Sequence, residues 1–409
     1  MCVMKIAIGG AGIAGLTAAA FLAGAGHRVI IYDKAPQPGP VGSGLIVQPT
    51  GQAVLAALQL DHLLMKRGSR LDRLDGRTED GRRILNVKYE ALGPDVFGVA
   101  VHRSSLFNIL YDAAKSAGAE IRYGRMVTGA DAQSCGFVFA DGDTSEPCDL
   151  LIDALGRRTP FVAREDCILS YGALWANAPF PSGHEFSENA LSQRYRSANL
   201  SAGVMPIGSA ADKDPLQAAF FWTLGARHYD AWLMTPLPRW KDRVLKLWPE
   251  AAPVLDHFQD HEQFVFATYA HHTAPAPVEG RLVHMGDAWH AASPQLGQGA
   301  NMALIDAWAL SVALERYADV DAALAGFVEL RRNHVKLYQA ISRLFTPVYQ
   351  SDSKTLPALR DKFAAPLSTF WFMPKLLAAM VAGTLGDPLK HLQSPTIYAA
   401  KTDAAEEVV

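Results

Sequence analysis

Two glycine-rich turns, far apart in the chain, are the stretches best suited to chemistry. The first is Gly10-Ala11-Gly12-Ile13-Ala14-Gly15, set between the apolar run Lys5-Ile6-Ala7-Ile8 and an Ala-rich run, Leu16 to Ala25, that stops at Gly26. In a strand-turn-helix context Gly10 permits the tight turn. Gly12 lets a pyrophosphate approach the backbone, and Gly15 lets the helix pack close to the strand. The open N–H groups and partial positive charge of the helix N-terminus suit an anion. Asp33, with Lys34 beside it, follows the run Arg28-Val29-Ile30-Ile31-Tyr32 and stands 18 residues after Gly15. That spacing suits a carboxylate on a ribose hydroxyl. A chance glycine turn is the bland alternative, which the strand, helix and acid together make a poor explanation. The implied ligand is a dinucleotide.

The second stretch narrows the choice. Arg281-Leu282-Val283-His284-Met285 reads as a strand ending in Gly286-Asp287, followed by Pro294-Gln295-Leu296-Gly297-Gln298-Gly299-Ala300-Asn301 at the start of a long helix. A carboxylate at a strand end can accept hydrogen bonds from a polyol. A glycine turn opening a helix can lay N–H groups along the edge of a flat ring, where the helix dipole stabilises negative charge. By itself this stretch could be a helix-capping loop. Together the two turns could span a long FAD.

The elements that must hold these turns are legible in outline. Residues 5 to 33 form a βαβ unit, whose crossover is right-handed. Gly51 to Leu58 is expected to be helical, and residues 69 to 98 read as hairpin strands. A helix capped by Ser104 or Ser105 is expected to run to about Ser116, with Gly118 ending it and Ala119 to Tyr123 a strand. Residues 171 to 275 are richer in aromatics and proline and suggest a separate sheet. The expected fold is α/β, with a discontinuous Rossmann-type FAD-binding domain (1–70, 99–170 and 276–335). Into it is inserted a mostly β substrate domain (71–98 and 171–275). C-terminal helices (336–398) and a disordered polar tail (399–409, with Glu406 and Glu407) complete the chain.

Composition excludes several classes. Lys+Arg total 38 against 41 Asp+Glu, a formal charge of −3 with no dense basic run, which argues against a nucleic-acid partner. Cys2, Cys135, Cys148 and Cys167 are scattered with no Cys-x-x-Cys pair, as expected of reduced thiols in a cytoplasmic protein. No signal-peptide layout opens the chain. No apolar run is long enough for an integral membrane segment; Leu376 to Leu385 is too short. No metal site is expected: His257 and His261 share a helical spacing but lack the Glu and third ligand of a zinc motif, and read as surface histidines.

The two turns resemble those of the para-hydroxybenzoate hydroxylase-like (group A) FAD-dependent monooxygenases. Gly286-Asp287 with the Pro294 to Asn301 loop is similar to that family's second FAD motif. Arg103, after His102 and before a helix, resembles its cofactor-contacting arginine. Gly203-Val204-Met205-Pro206 and Phe221-Trp222-Thr223-Leu224 are similar to the substrate-domain sheet of quinone-precursor hydroxylases, and the Leu344 to Arg360 stretch looks like theirs too. The resemblance implies FAD contacts from Gly10, Gly12, Ile13, Ala14, Gly15, Asp33, Lys34, Arg103, Asp287, Pro294, Gly297, Gly299, Ala300 and Asn301. One departure stands out. The family's middle motif, Gly-Ala-Asp-Gly, serves both FAD and NADPH. Here it reads Asp153-Ala154-Leu155-Gly156-Arg157-Arg158-Thr159, which loses the carboxylate at position 155 unless Asp153 replaces it.

The expected function is hydroxylation of an aromatic or quinone-precursor substrate. Reduced FAD and O2 would give a flavin C4a-hydroperoxide that passes one oxygen to the ring, with NAD(P)H as electron donor. No side chain is then required as a nucleophile, and Ser293 lacks a hydrolase context. Pocket candidates are Phe221, Thr223, His271 and Pro294. Strand alternation over Gln217 to Leu224 defines two faces, either of which could be sheet core. Phe370-Trp371-Phe372-Met373 reads as packing against the flavin domain, with a lipid surface or an apolar substrate route as the other options. Alternatives to the hydroxylase are a flavin-dependent halogenase, whose G-W-x-W-x-I-P signature is absent, a flavin-dependent reductase or dehydrogenase, and a non-catalytic dinucleotide-binding regulator. A homodimer is one assembly open to it.

Overall fold

The computed structural model describes residues 3–39, 42–162, 168–181, 183, 186–209, 214–368 and 370–392, with the backbone only over 363–368. Cys2, Cys167 and the expected tail 399–409 lie outside the described residues. A six-stranded sheet carries the first motif, in the order Val278–Glu279, Leu282–His284, Leu150–Asp153, Lys5–Gly9, Arg28–Tyr32, Glu120–Arg122. Its neighbours are parallel except at the antiparallel 278–279 edge. Parallel strands from such distant segments need long crossovers, which is why the sheet is assembled discontinuously. Alternation divides its residues between two cores. Ile6 and Ile8 face the helices Ile13–Gly24 and Gly299–Arg316. Ala7, Ile30, Tyr32 and Leu151 face Phe137 and Phe139 of the Val127–Asp131/Gly136–Phe139 hairpin.

A seven-stranded sheet stands beside it, in the order Val265–Ala270, Ile168–Pro179, Gln217–Gly225, Leu200–Pro206, Ala190–Arg196, Arg73–Thr78, Arg83–Lys88. The early hairpin 73–88 joins it through the sheet's parallel pairing with 190–196. One face is closed by Leu237–Leu247 and neighbouring short helices, where Trp240 meets Phe220 and Trp222 edge-on at 6.3 and 6.1 Å. Its other face is the floor of the site. A three-stranded sheet, Gly44–Val47, Gly98–His102 and Ser69–Leu71, links the two large ones, packing Ile46 and Ala100 against Met205 and Ala219.

Two local expectations change. The helix Arg103–Ser116 is capped by neither Ser104 nor Ser105 but by His102, whose Nδ1 accepts the Ser104 N–H at 3.1 Å. A neutral imidazole presents an acceptor as a hydroxyl does, so His102, two places before Ser104, takes the role. The division expected at 335/336 falls inside one continuous helix, Val320–Tyr349, whose Pro347 is tolerated three residues from its end. Beyond it, Thr355–Ser368 and Met373–Ala382 lie against the strand Arg83–Lys88. Among the described residues no helix is long and apolar enough to cross a membrane.

Candidate functional site

The first glycine turn forms because two backbones meet within it. A Cβ on Gly15 would stand 2.0 Å from the Gly10 carbonyl oxygen, so only hydrogen fits. Gly12 is different: nothing lies within 4 Å of its missing Cβ, and it lines a cavity. The helix that starts there has no side-chain cap and no acid in its first turn. Its leading N–H groups are therefore available to an anion. Asp33 ties the turn down, accepting Ala11 N–H at 2.7 Å and Ala35 N–H at 2.8 Å. Lys34 is exposed next to it.

The second turn lines the same cavity close beside the first, a Cβ on Gly286 standing 3.3 Å from Ala14 Cβ. Gly286, Asp287 and the loop Ala292 to Ala300 all line it. The helix Gly299–Arg316 also opens without a side-chain cap. Two uncapped helix N-termini thus share one cavity of about 1030 Å³, together with Ile13, Ala14 and Arg103. Asp287 is open toward the cavity and enclosed by protein elsewhere. That enclosure raises its carboxyl above the ordinary value, and positive charge from His290, Arg103 and Arg157 opposes the rise only in part.

A fully buried polar network, missed in reading the sequence, supports this turn. Asp306 Oδ2 accepts Gly286 N–H at 2.9 Å and pairs with His290 Nε2 at 2.7 Å, while Oδ1 accepts Arg331 Nε–H at 2.7 Å. Arg331 Nη1 donates to His334 Nδ1 at 3.0 Å, and His334 Nε2 donates to the Gly383 carbonyl at 3.0 Å. Burial opposes the Asp306 charge, but His290 and Arg331 outweigh it and hold the carboxyl at about 2. Burial, reinforced by Arg331, lowers His334 to about 3, so it stays neutral. The available signal was an acid at 306 in the middle of a largely apolar stretch, Met302 to Leu314.

Other expected residues take structural duties. Asn301 is buried and off the cavity wall; its Oδ1 accepts Gln48 N–H at 2.8 Å and its Nδ2 donates to Ile46 O and Gly297 O at 3.0 and 2.9 Å. It clamps the strand Gly44–Val47 to the glycine turn. Asp153 is fully buried, with Oδ1 accepting Leu155 N–H at 3.1 Å and Oδ2 shared by Thr159 Oγ1 at 2.6 Å and His284 Nδ1 at 2.7 Å. It cannot reach a ligand in place of the carboxylate missing at position 155. His257 is exposed, and His261 Nε2 meets the Thr235 carbonyl at 3.0 Å.

The chamber beyond the glycine turns is floored by alternate residues of the seven-stranded sheet. Phe221 and Thr223 line it, whereas Phe220 and Trp222 point into the helix-covered core, which decides between the two faces left open by the sequence. Pro294 lines it as well. His271 does not: the strand stops at Ala270, and His271 Nε2 lies 2.9 Å from Thr346 Oγ1 instead. The wall position is Tyr269, two residues earlier and in step with Val265 and Ala267. Its hydroxyl accepts Trp175 Nε1–H at 3.0 Å, and burial pushes its phenol up to about 12. Trp175, also missed, packs on Phe221 with ring centroids 5.1 Å apart. Met373 lines the far wall, but Phe370, Trp371 and Phe372 are 56%, 89% and 43% exposed, so these rings do not pack against the flavin domain as expected.

The profile of the family described as "FAD binding domain" matches residues 3–322. The chain belongs to this family. It is that of the group A aromatic hydroxylases, whose FAD-binding monooxygenase fold the chain shares. The chain is similar to a 3-amino-4-hydroxybenzoate 2-monooxygenase of Streptomyces platensis, 28% identical over 379 residues, covering 83% of this chain and 87% of that protein. It is also similar to the 2-heptyl-3-hydroxy-4(1H)-quinolone synthase of Pseudomonas aeruginosa, 27% identical over 330 residues, covering 75% and 80%. In fold it matches HpxO of Klebsiella pneumoniae, solved with FAD and uric acid, with a TM-score of 0.75 at 20% identity over 94% of this chain and 98% of that one.

Proposed function

We propose that this protein hydroxylates an electron-rich aromatic ring, using FAD, O2 and NAD(P)H. The observation that carries this reading is the single cavity. It joins two uncapped helix N-termini to a chamber floored by aromatic side chains. The donor set fits FAD. Gly12, Ile13 and Ala14, kept in place by Gly10 and Gly15, would face the pyrophosphate. Asp33, with Lys34 alongside, would take the ribose and Asp287 the ribityl hydroxyls. Arg103 and the backbone of Pro294, Gly297, Gly299 and Ala300 would border the ring, with Asn301 acting through the turn it clamps.

Bound FAD supplies electron transfer to O2 and delivery of one oxygen atom to the substrate. The protein's share is positioning and electrostatics. The Gly299 helix N-terminus stabilises negative charge at its mouth. Apolar walls exclude water, which protects reactive species from hydrolysis. Tyr269 stays protonated across the working range, and because it accepts from Trp175 its own hydrogen is left to donate to a substrate oxygen. NAD(P)H is assigned as donor without a carboxylate from the 153–159 turn, because Asp153 is fully engaged.

The test is the purified protein with FAD, either nicotinamide and isotopically labelled O2, screened against phenols and N-heteroaromatics. Label in the aromatic product supports the reading. Consumption of O2 yielding only peroxide with every arene would defeat it, and halide incorporation would favour a halogenase.

A further inference from the structure

The chamber beyond the cofactor cradle has an unusual charge balance. Among the described residues that line the cavity, the charged side chains are Arg103, Asp287 and Arg360. The first two belong to the cradle, since Arg103 acts on the Asp287 carboxyl. Arg360 is the cation of the far end, and it is already occupied. Its guanidinium lies over the neighbouring rings of Tyr195 and Tyr349, at 5.1 and 5.2 Å from their centroids. Its Nε donates to Asp361 at 2.8 Å, and Nη1 and Nη2 reach the Val348 and Ser197 carbonyls at 3.3 and 3.4 Å. With Asp361 alongside, the local charge sums to zero.

Several polar groups of the floor are paired with one another, and the rest, such as Asn86 and Gln48, are uncharged amides. Ser201 and Thr223 hydroxyls meet at 2.6 Å, Tyr195 donates to Gln193 Oε1 at 2.5 Å, and Trp175 donates to Tyr269 at 3.0 Å. Burial raises the Tyr269 and Tyr195 phenols, so neither ionises near neutrality. The rest of the far wall is uncharged: Leu85, Leu191, Val348, Leu356, Leu359 and Met373 are aliphatic, and Asn86 and Gln350 are neutral amides. Leu359 is 53% exposed, and Phe370, Trp371 and Phe372 stand exposed next to Met373. Apolar surface therefore runs from the chamber out to solvent.

Building on the monooxygenase reading, we propose that the substrate is an uncharged aromatic molecule extended by an apolar chain or further ring, and that the chamber rejects arenes bearing a carboxylate at their far end. A carboxylate carried into this chamber loses its hydration and meets no unengaged cation, which is costly. An alkyl chain loses only unfavourable contact with water.

Calorimetric titration of the FAD-loaded protein with para-alkylphenols bearing ethyl, butyl, hexyl and octyl chains tests this, alongside the same phenols ending in a carboxylate. Affinity is expected to rise by up to about fourfold per added methylene. Each carboxylate should bind at least about 100-fold more weakly at pH 7, the gap narrowing as pH falls through the carboxylate range. Leu359→Arg, at a partly exposed position that tolerates a long side chain, should restore carboxylate binding by about tenfold or more. A flat chain-length series, or carboxylates binding as well as their neutral partners, overturns the proposal. Chain-dependent binding with no oxygen transfer to any phenol would instead overturn the monooxygenase reading while upholding the ligand preference. Oxygen transfer confined to short carboxylated arenes would do the reverse.

Discussion

Asp306 is the most informative residue to perturb, because one buried carboxylate holds three segments together. Asp306→Asn keeps the shape but replaces one acceptor oxygen with an N–H donor. In one amide orientation that donor faces Gly286 N–H and His290 Nε2; in the other it faces Arg331 Nε–H. In both cases the Arg331 guanidinium, with 0% of its side chain exposed, keeps its charge without a counter-ion. Removing one partner of such a pair costs about 3–5 kcal/mol, a large part of the roughly 5–15 kcal/mol that holds a typical domain. Held at about 2 instead of 3.8, the Asp306 carboxyl itself contributes on the order of 2 kcal/mol at neutral pH. That contribution is present above the unfolded value and fades as pH falls from about 4 through about 2. Urea unfolding of the apoprotein should show the loss directly. FAD affinity should fall with it, because the Gly286-Asp287 turn loses its anchor. Arg331→Met combined with Asp306→Leu removes both charges and should recover at least about 2 kcal/mol relative to the sum of the single losses. An Asp306→Asn cost below about 1 kcal/mol, or strictly additive singles, would refute the network as the support of this turn.

Four further substitutions have definite expected outcomes. Gly15→Ala, which brings a methyl to 2.0 Å from a backbone oxygen, should destabilise the apoprotein by about 1–3 kcal/mol in thermal unfolding. Gly12→Ala meets nothing and should leave the apoprotein unchanged while weakening FAD binding about tenfold or more, measured by fluorescence titration; equal effects at the two positions would contradict these roles. His334, lowered to about 3, is neutral when folded but takes up a proton when unfolded below about 6.5. Stability should therefore decline by up to about 1.4 kcal/mol per pH unit from 6.5 toward 3, and His334→Gln should flatten that slope in acid denaturation curves. Gly203→Ala, whose methyl would lie 2.1 Å from the Phe221 ring, should displace that ring and raise the apparent KM for an aromatic substrate several-fold; unchanged kinetics would remove Phe221 from the chamber wall.

Local steric rules, readable along the chain, set the turns and helix starts of this protein. Glycine placement at 10, 12 and 15, the apolar runs on either side, and the Pro294 to Ala300 turn all act within a few residues, through steric access and helix ends. These features are readable without knowing what lies across the core. The alternation of Gln217 to Leu224 was equally plain, but each face carries a large aromatic ring, one against Trp240 and one against the chamber. Only the neighbouring layer could say which face meets a ligand. The same holds for Asp153 and Asn301, polar residues in motif positions whose side chains are claimed by His284, Thr159, Gln48 and Ile46. Which distant strand pairs with which, as when Arg73–Thr78 lies parallel to Ala190–Arg196, is settled by long-range packing that no short-range propensity encodes. Tertiary structure therefore decided the chamber, its charge balance and the buried Asp306 support, because each depends on atoms brought together only by folding.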